Sequence, residues 1–236
     1  MSSHQFLFYC AGATAESPSL ELRGDEHHHV ARVLRSDPGD ILLVTNGSGL
    51  VLECRVTRVG DGSTSADVVA VRSREREPRG LLLALAIMRR DRFEQAFEQC
   101  VELGITACVP FSARGSKAGE FGSRSTARLR RIAVSAIKQS FRAWLPVVLP
   151  AATFETLVDR ARATPHVIVG AVDGPPLRPC AGGGDVLAIV GPEAGLTAEE
   201  CAALEGAGAV FASVSTHRLR SETAAVALVS ALRRDN

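Results

Sequence analysis

The sequence predicts two domains of different class, a small β-rich domain over residues 1–73 and a larger α/β domain over residues 78–236. Short apolar stretches joined by turn residues fill the first part of the chain, whereas apolar runs alternate with helical periods in the second. Between them lies the segment RSREREPRG, whose charges, proline and glycine are typical of a domain boundary.

The first domain has the pattern of a small β-barrel or sandwich. Leu52, Cys54 and Val56 alternate with polar residues, as in a strand with one buried face. The pair Asn46-Gly47 is typical of a hairpin turn. Further strands are predicted at residues 6–10, 41–44 and 66–71.

The second domain has the pattern of a parallel α/β sheet. Phe93, Phe97 and Val101 share one face of a predicted helix, and Gly104 ends it. Strand and helix in alternation indicate parallel strands with helical crossovers. Buried strands are predicted at residues 81–88, 107–111, 167–172, 186–190 and 210–214.

Charge is distributed unevenly along the chain. The formal net charge of the 236 residues is only +1, which argues against a non-specific binder of polyanions. Residues 111–146, however, hold eight basic residues and one acidic residue. A basic segment in an otherwise acidic chain indicates an anionic partner.

This basic segment is predicted to form a helix with one charged face. At 100° per residue, five cations fall on one side, and apolar residues fall on another. A solvated helix face and a nucleic-acid-binding face both fit this pattern. The five cations are Arg124, Arg128, Arg131, Lys138 and Arg142.

The cysteine pattern and the termini predict a cytoplasmic protein without a metal site. The six cysteines are scattered, with no CxxC pair and no zinc-ligand spacing. The run His27-His28-His29 cannot easily converge on one ion, so contact with RNA or packing in the barrel is favoured there. The apolar run at 81–88 is far too short to span a membrane, and the N-terminus does not have the pattern of a signal peptide.

The stretch IVGPEAGLTAEE predicts a strand, a glycine-containing loop and a helix. Thr197 and Glu200 have the spacing of a capping box. Phosphate is disfavoured as the ligand, because Glu193 lies in the loop and two glutamates occupy the first helical turn, so dinucleotides and nucleoside triphosphates are weak alternatives. The loop therefore favours a neutral or partly cationic ligand.

The C-terminal run THRLRSETAAVALVSAL predicts a helix that is apolar on nearly every side. Ser221 is its predicted N-cap, and Arg220 and Glu222 flank the start of the helix. A weak surface ion pair between them is one interpretation, and a functional site is the other.

Taken in series, these motifs resemble the ribosomal RNA uridine-N3 methyltransferases, the RsmE-like branch of the SPOUT superfamily. GPEAGLTAEE and LRSETAA resemble the paired C-terminal signature of that family. ELGI and AIKQSFRAWLP agree with two further family segments, and HHHVARVLRSDPGD is similar to its PUA-like RNA-binding module. The resemblance covers nearly the whole chain, with the motifs in the same order.

The resemblance implies a C-terminal α/β domain with a trefoil knot, a rare exception among folds, and a homodimer. It implies S-adenosylmethionine as methyl donor and N3 of a uridine in small-subunit ribosomal RNA as acceptor. Arg220 is expected to stabilise negative charge on the uracil, with Glu222 fixing Arg220 or the helix start. The cofactor walls are expected at Val169, Gly170, Gly191, Pro192, Glu193, Gly195, Val214, Ser215 and Leu219. RNA contacts are expected at His29, Arg32, Arg35 and the five cations of the basic helix.

Several positions depart from the family pattern: Ala194, Ser215, His217 and Lys138. Ala194 and Ser215 would crowd the cofactor if their backbones required positive φ. Two alternatives therefore stay open, a SPOUT methyltransferase with another RNA target and a non-catalytic RNA-binding protein of the same fold.

Overall fold

The computed structural model describes residues 6–114, 121–180 and 183–234. The chain forms two compact units, and both are discontinuous in sequence. The first comprises the residues up to Arg76 together with Ile137–Leu145, and the second comprises Glu77–Ala136 and the chain from Pro146 onward.

The first unit is built on a five-stranded sheet with the order β1-β3-β4-β5-β2. Neighbouring strands are antiparallel except β1 and β3, which are parallel. Inward residues alternate with outward ones along β4, and Leu52, Cys54 and Val56 enter the core as the sequence predicts. Its elements are β1 (Leu7–Tyr9), β2 (Ser19–Arg23), α1 (Gly24–His28), a π-helical segment (His29–Leu34), β3 (Ile41–Thr45), β4 (Leu50–Val59) and β5 (Ser63–Ser73).

The segment Ile137–Leu145 completes this unit from a distant part of the sequence. The N–H of Leu145 donates to the Gly47 carbonyl, and the N–H of Gly49 donates to the Ala143 carbonyl, both at 2.9 Å. The Trp144 indole N–H donates to the Arg74 carbonyl at 3.0 Å. Any Cβ on Gly49, whose φ is +89°, would collide with the Trp144 ring, so glycine is required there.

The second unit is built on a six-stranded parallel sheet with the order β11-β9-β10-β6-β7-β8. The apolar runs of the sequence form its buried strands, which confirms the predicted α/β class. Its elements are β6 (Leu81–Ala86), α2 (Arg90–Glu102), β7 (Ala107–Phe111), α3 (Ser123–Gln139), β8 (Val147–Val148), α4 (Phe154–Arg162), β9 (His166–Gly170), β10 (Val186–Val190), α5 (Ala198–Gly206), β11 (Val210–Ala212) and α6 (Ser221–Arg234).

The strand order reverses direction in the middle of this sheet. From β6 the chain adds β7 and β8 on one side, then returns to place β9, β10 and β11 on the other. Ligands of parallel α/β sheets bind at the carboxyl ends of strands near such a switch point. The C-terminal helix α6 packs on α2, β9 and β10, beside this point. The trefoil knot itself stays a prediction.

Among the helices of the described residues, none is both long enough and apolar enough to cross a bilayer.

Candidate functional site

A cavity of about 1060 Å³ lies in the second unit at the carboxyl ends of the central strands. Three stretches of chain surround it: the loop after β9, the loop after β10, and the turn that leads into α6. Pockets for small ligands typically measure about 300–1,000 Å³. The cavity is therefore large enough for one sizeable ligand.

Most of the predicted cofactor residues line this cavity. The loop after β10 supplies the largest group, and β9 and the last turn supply the others. The lining residues that were predicted from the sequence are Val169, Gly170, Gly191, Pro192, Glu193, Gly195, Leu219 and Arg220.

Val214 and Ser215 were also predicted as cofactor walls, but neither lines the cavity, and their contact with the cofactor stays a prediction. The hydroxyl groups of this turn are used within the turn itself. Ser213 Oγ donates to the Ser215 carbonyl at 2.7 Å, and Ser215 Oγ accepts from the N–H of His217 at 3.0 Å. Arg218, Leu219 and Arg220 face the cavity instead.

The loop after β10 is a tight turn followed by a capped helix. The N–H of Gly195 donates to the Pro192 carbonyl at 2.8 Å, with Gly195 at φ +81°. A Cβ on Gly191 would lie 3.2 Å from the Leu196 side chain, so the loop packs tightly there. The predicted capping box is confirmed, with Thr197 and Glu200 each accepting from the other's backbone N–H.

The departures at Ala194 and Ser215 introduce no backbone strain. Within the described part of the chain, the only non-glycine residues with positive φ are Arg35 and Phe141. Alanine and serine therefore fit these two positions without the crowding that positive φ would cause.

The loop after β9 was not predicted as part of the site, although it forms one wall. Ala171, Asp173, Gly174 and Pro175 all line the cavity. Reciprocal backbone bonds of 2.8 Å join Leu177 to Ser213 and Ser213 to Pro175, which fixes this loop against the chain after β11. Its position at the carboxyl end of a predicted buried strand was the signal available in the sequence.

The charges around the cavity are mixed. Arg92, Arg218 and Arg220 supply three cations. Asp173, Glu193 and Glu205 supply three carboxylates. Burial, with Glu205 and Glu200 adding to it, raises the pKa of the Cys201 thiol, so this cysteine of the lining stays protonated and is not an activated nucleophile.

The sequence did not indicate Arg92, which lies in the first turn of α2 at the cavity wall. Its Nη1 donates to Glu222 Oε1 at 2.5 Å and lies 3.8 Å from Glu193 Oε1. Glu222 is therefore paired with Arg92 and not with Arg220, and its other expected role, fixing the start of α6, stays a prediction. Arg220 is exposed and, among the described residues, is paired with no carboxylate, although its backbone carbonyl accepts from the N–H of Ala224 in α6.

The predicted stripe of five cations is only partly available to a ligand. Lys138 lies 2.6 Å from Glu26 in a largely buried pair, so its ammonium group is already neutralised, and its contact with RNA stays a prediction. Arg128 forms a two-point ion pair with Glu94 of α2. Its guanidinium, which was expected to be available to a ligand, is therefore already paired. Arg124 and Arg131 are exposed, and Arg142 is half-buried.

The predicted RNA residues of the first unit occupy different surroundings. Arg32 and Arg35 are exposed, whereas His29 packs edge-on against Phe6 and Phe8 at ring distances of 5.6 and 5.5 Å. Desolvation, followed by the charge of Lys138, lowers the pKa of His29, so its ring is held neutral. RNA contact at these three residues stays a prediction.

The side chains of the three consecutive histidines lie in different environments. His27 Nδ1 lies 2.8 Å from Thr64 Oγ1, His28 is exposed, and His29 packs on the phenylalanine rings. The described ranges hold no group of three or more His, Cys, Asp or Glu side chains able to hold a metal ion.

A parallel sheet with a mixed-charge cavity at its switch point is typical of α/β proteins that bind a small ligand. Comparison with known proteins makes this class specific. The chain belongs to the RNA methyltransferase family, whose domain matches residues 75–233, and an RNA methyltransferase PUA domain matches residues 22–68.

The named relatives narrow this family further. Ribosomal RNA small subunit methyltransferase E of Mycobacterium tuberculosis is 32% identical, and the match covers 96% of this chain and 90% of the relative. The protein of that name from Bacillus subtilis is 26% identical over 92% of this chain and 90% of its own length.

Solved structures agree with this placement. The Neisseria gonorrhoeae ribosomal RNA small subunit methyltransferase E bound to S-adenosyl methionine superposes with a TM-score of 0.85 at 25% identity, covering 97% of this chain and 96% of its own. A putative methyltransferase from Legionella pneumophila in complex with SAM gives 0.86 at 25% identity, with 98% of both chains covered.

Proposed function

We propose that this protein transfers a methyl group from S-adenosylmethionine to N3 of a uridine in small-subunit ribosomal RNA. The observation that carries the proposal is the cavity at the sheet's switch point, walled by the predicted loop Gly191–Gly195, in a chain of the RNA methyltransferase family. Two structural neighbours were solved with the same cofactor in a similar fold.

The residues of the cavity fit this cofactor. It has no phosphate, and it carries a sulfonium and an ammonium group. Carboxylates at Asp173, Glu193 and Glu205 favour such cations. Glycine at position 191 keeps this wall of the cavity compact, because a Cβ there would lie 3.2 Å from the Leu196 side chain.

The remaining charges of the cavity suit a uracil base. When bound, S-adenosylmethionine supplies the methyl group on an electrophilic sulfonium and leaves as S-adenosylhomocysteine. Uracil N3 attacks only as its proton leaves to solvent or a base, which places negative charge on the two flanking carbonyl oxygens. Arg220 lines the cavity and is free of a carboxylate partner among the described residues, so it is suited to stabilise that charge.

The RNA is held by exposed basic residues on each unit. We assign this role to Arg32 and Arg35 in the first unit and to Arg124 and Arg131 in the second, since guanidinium groups bind phosphates through paired N–H donors. The proposal includes a homodimer and a cytoplasmic location, where ribosomal RNA is available.

Arg220→Ala tests the assignment of the reacting site. We expect methyl transfer to fall about 10²–10³-fold, the usual effect of losing one donor to a developing anion. Cofactor affinity by calorimetry should stay unchanged, because the carboxylates and loops remain. Arg162→Ala is the control, since Arg162 is exposed on α4 and pairs with Asp159 at 2.7 Å. Near-normal turnover by Arg220→Ala would remove Arg220 from the mechanism.

Mass mapping of modified uridines in cells lacking the gene tests the substrate. Loss of one N3-methyluridine from small-subunit ribosomal RNA supports the proposal, and loss of a modification from another RNA contradicts it. Calorimetry that shows no heat of cofactor binding by the purified protein would instead indicate a non-catalytic RNA-binding protein.

A further inference from the structure

The Arg92–Glu222 pair holds a guanidinium in a fixed position at the cavity wall. The two side chains belong to the first turns of α2 and α6, which pack against each other. Their exposed fractions are 27% for Arg92 and 15% for Glu222, so the pair is largely shielded from water. Shielding strengthens the attraction between the two charges and keeps the guanidinium in one orientation.

The pair leaves most donors of Arg92 available. A guanidinium has five N–H donors. Nη1 serves Glu222, whereas Nε and Nη2 have no acceptor within the described part of the chain. Because Arg92 lines the cavity, these donors are available to a ligand.

Arg92 and Arg220 differ in how firmly they are held. Arg220 is exposed and unpaired in the described ranges, so binding must first order its side chain. Arg92 is already ordered by a buried carboxylate. Donors that are fixed before the reaction give the larger stabilisation of a charge that develops during it.

We propose that Arg92 is a second catalytic residue, which donates to a carbonyl oxygen of the target uracil beside N3, and that Glu222 is its positioning residue. This inference rests on the proposed function. Negative charge develops on both O2 and O4 as N3 loses its proton, so two cations, Arg92 and Arg220, match the two oxygens.

The test compares Arg92→Met on RNA made with uridine and on the same RNA made with 5-fluorouridine. Fluorine makes N3–H more acidic, so the base anion needs less help from the protein. We expect kcat on uridine RNA to fall about 10²-fold, as for loss of one donor. The loss on 5-fluorouridine RNA should be at least about tenfold smaller, and the rise of kcat with pH should move to higher pH, because the bound base becomes less acidic.

Arg89→Met is the matched control. Arg89 precedes the same helical turn and pairs with Asp91 at 2.8 Å on the surface, with 72% of its side chain exposed. We expect its activity to equal that of the native protein on both RNAs. An equal loss on both RNAs for Arg92→Met, or a loss below about threefold, would overturn the role of Arg92.

A double-mutant cycle tests the positioning role of Glu222. Arg92→Met alone leaves a buried carboxylate without its cation, which reduces stability, whereas Arg92→Met/Glu222→Gln leaves no charge unpaired. If Glu222 acts through Arg92, the double variant has the activity of Arg92→Met. If the activity losses caused by the Arg92→Met and Glu222→Gln substitutions instead add in the double variant, Glu222 does not act through Arg92.

The two proposals fail in distinguishable ways. Native protein that binds no S-adenosylmethionine, or that methylates no uridine N3, contradicts the proposed function. Native protein that does both, with Arg92→Met fully active, contradicts only the role of Arg92.

Discussion

Lys138 forms a compact cluster with Glu26 and Phe8 in the first unit. Its ammonium lies 2.6 Å from Glu26 Oε1 and 5.9 Å from the centre of the Phe8 ring. Only 20% of the Lys138 side chain and 16% of the Glu26 side chain are exposed. An intact ion pair this well shielded contributes little net stability, but removing one partner leaves the other charge shielded from water without a counter-charge.

Replacing Lys138 therefore affects folding more than RNA binding. We expect Lys138→Met to lower the free energy of unfolding by about 2 kcal/mol, less than for a fully buried pair because some water reaches this one. Arg131→Met, on the exposed side of the same helix, should leave stability unchanged. Urea denaturation of both variants checks this, and equal stabilities would contradict the structural role of Lys138.

At the scale of the element, α3 contributes residues to both units along its length. Its residues up to Ala136 belong to the second unit, where Arg128 is paired with Glu94 on α2. Arg124 and Arg131 stay exposed. The helix thus exposes a smaller cationic surface than its sequence pattern predicts, because a charge pattern along one helix does not show which neighbouring elements supply counter-charges.

Arg124→Ala/Arg131→Ala should weaken RNA binding in a salt-dependent way. Each lost phosphate contact lowers the slope of log K against log salt concentration by about 1, so a fall of about 2 is expected. Fluorescence anisotropy across a salt series measures it. Arg162→Ala/Arg178→Ala removes two exposed charges outside the proposed surface and should leave the slope unchanged. An unchanged slope in the α3 variant would remove these arginines from the RNA interface.

The sequence predicted features that depend on neighbouring residues better than features that depend on distant ones. The buried strands β6, β7 and β10 form continuous apolar runs, and the Thr197–Glu200 cap needs only three residues of spacing. The two-residue strand β8 is too short to leave a pattern. Arg92 and Glu222 are separated by 130 positions and Lys138 and Glu26 by 112, so only folding brings these pairs together.

At the scale of the whole molecule, the first unit is incomplete without Ile137–Leu145. This segment supplies Trp144, whose indole donates to the carbonyls of Arg74 and Glu75, and Lys138, which neutralises Glu26. A fragment that ends at Arg76 lacks these contacts and leaves Glu26 without its cation.

We therefore expect residues 1–76 alone to be less stable than the same fragment carrying residues 137–145 on a flexible Gly/Ser linker. A gain of about 10 °C in melting temperature is expected, since about 1 kcal/mol corresponds to 4–8 °C in a domain of this size. Thermal melts followed by circular dichroism measure it. Equal melting temperatures would show that the segment is dispensable for the fold.

The chain crosses between the two units three times, after Arg76, after Ala136 and after Leu145. A single recombination event in the gene therefore cannot exchange one unit intact for that of a relative. A first unit transplanted from a relative would have to pack against Lys138 and Trp144 of this chain, which are encoded far downstream in the gene. The two modules must consequently be inherited together, and a chimera of two such enzymes needs matched junctions at all three crossings.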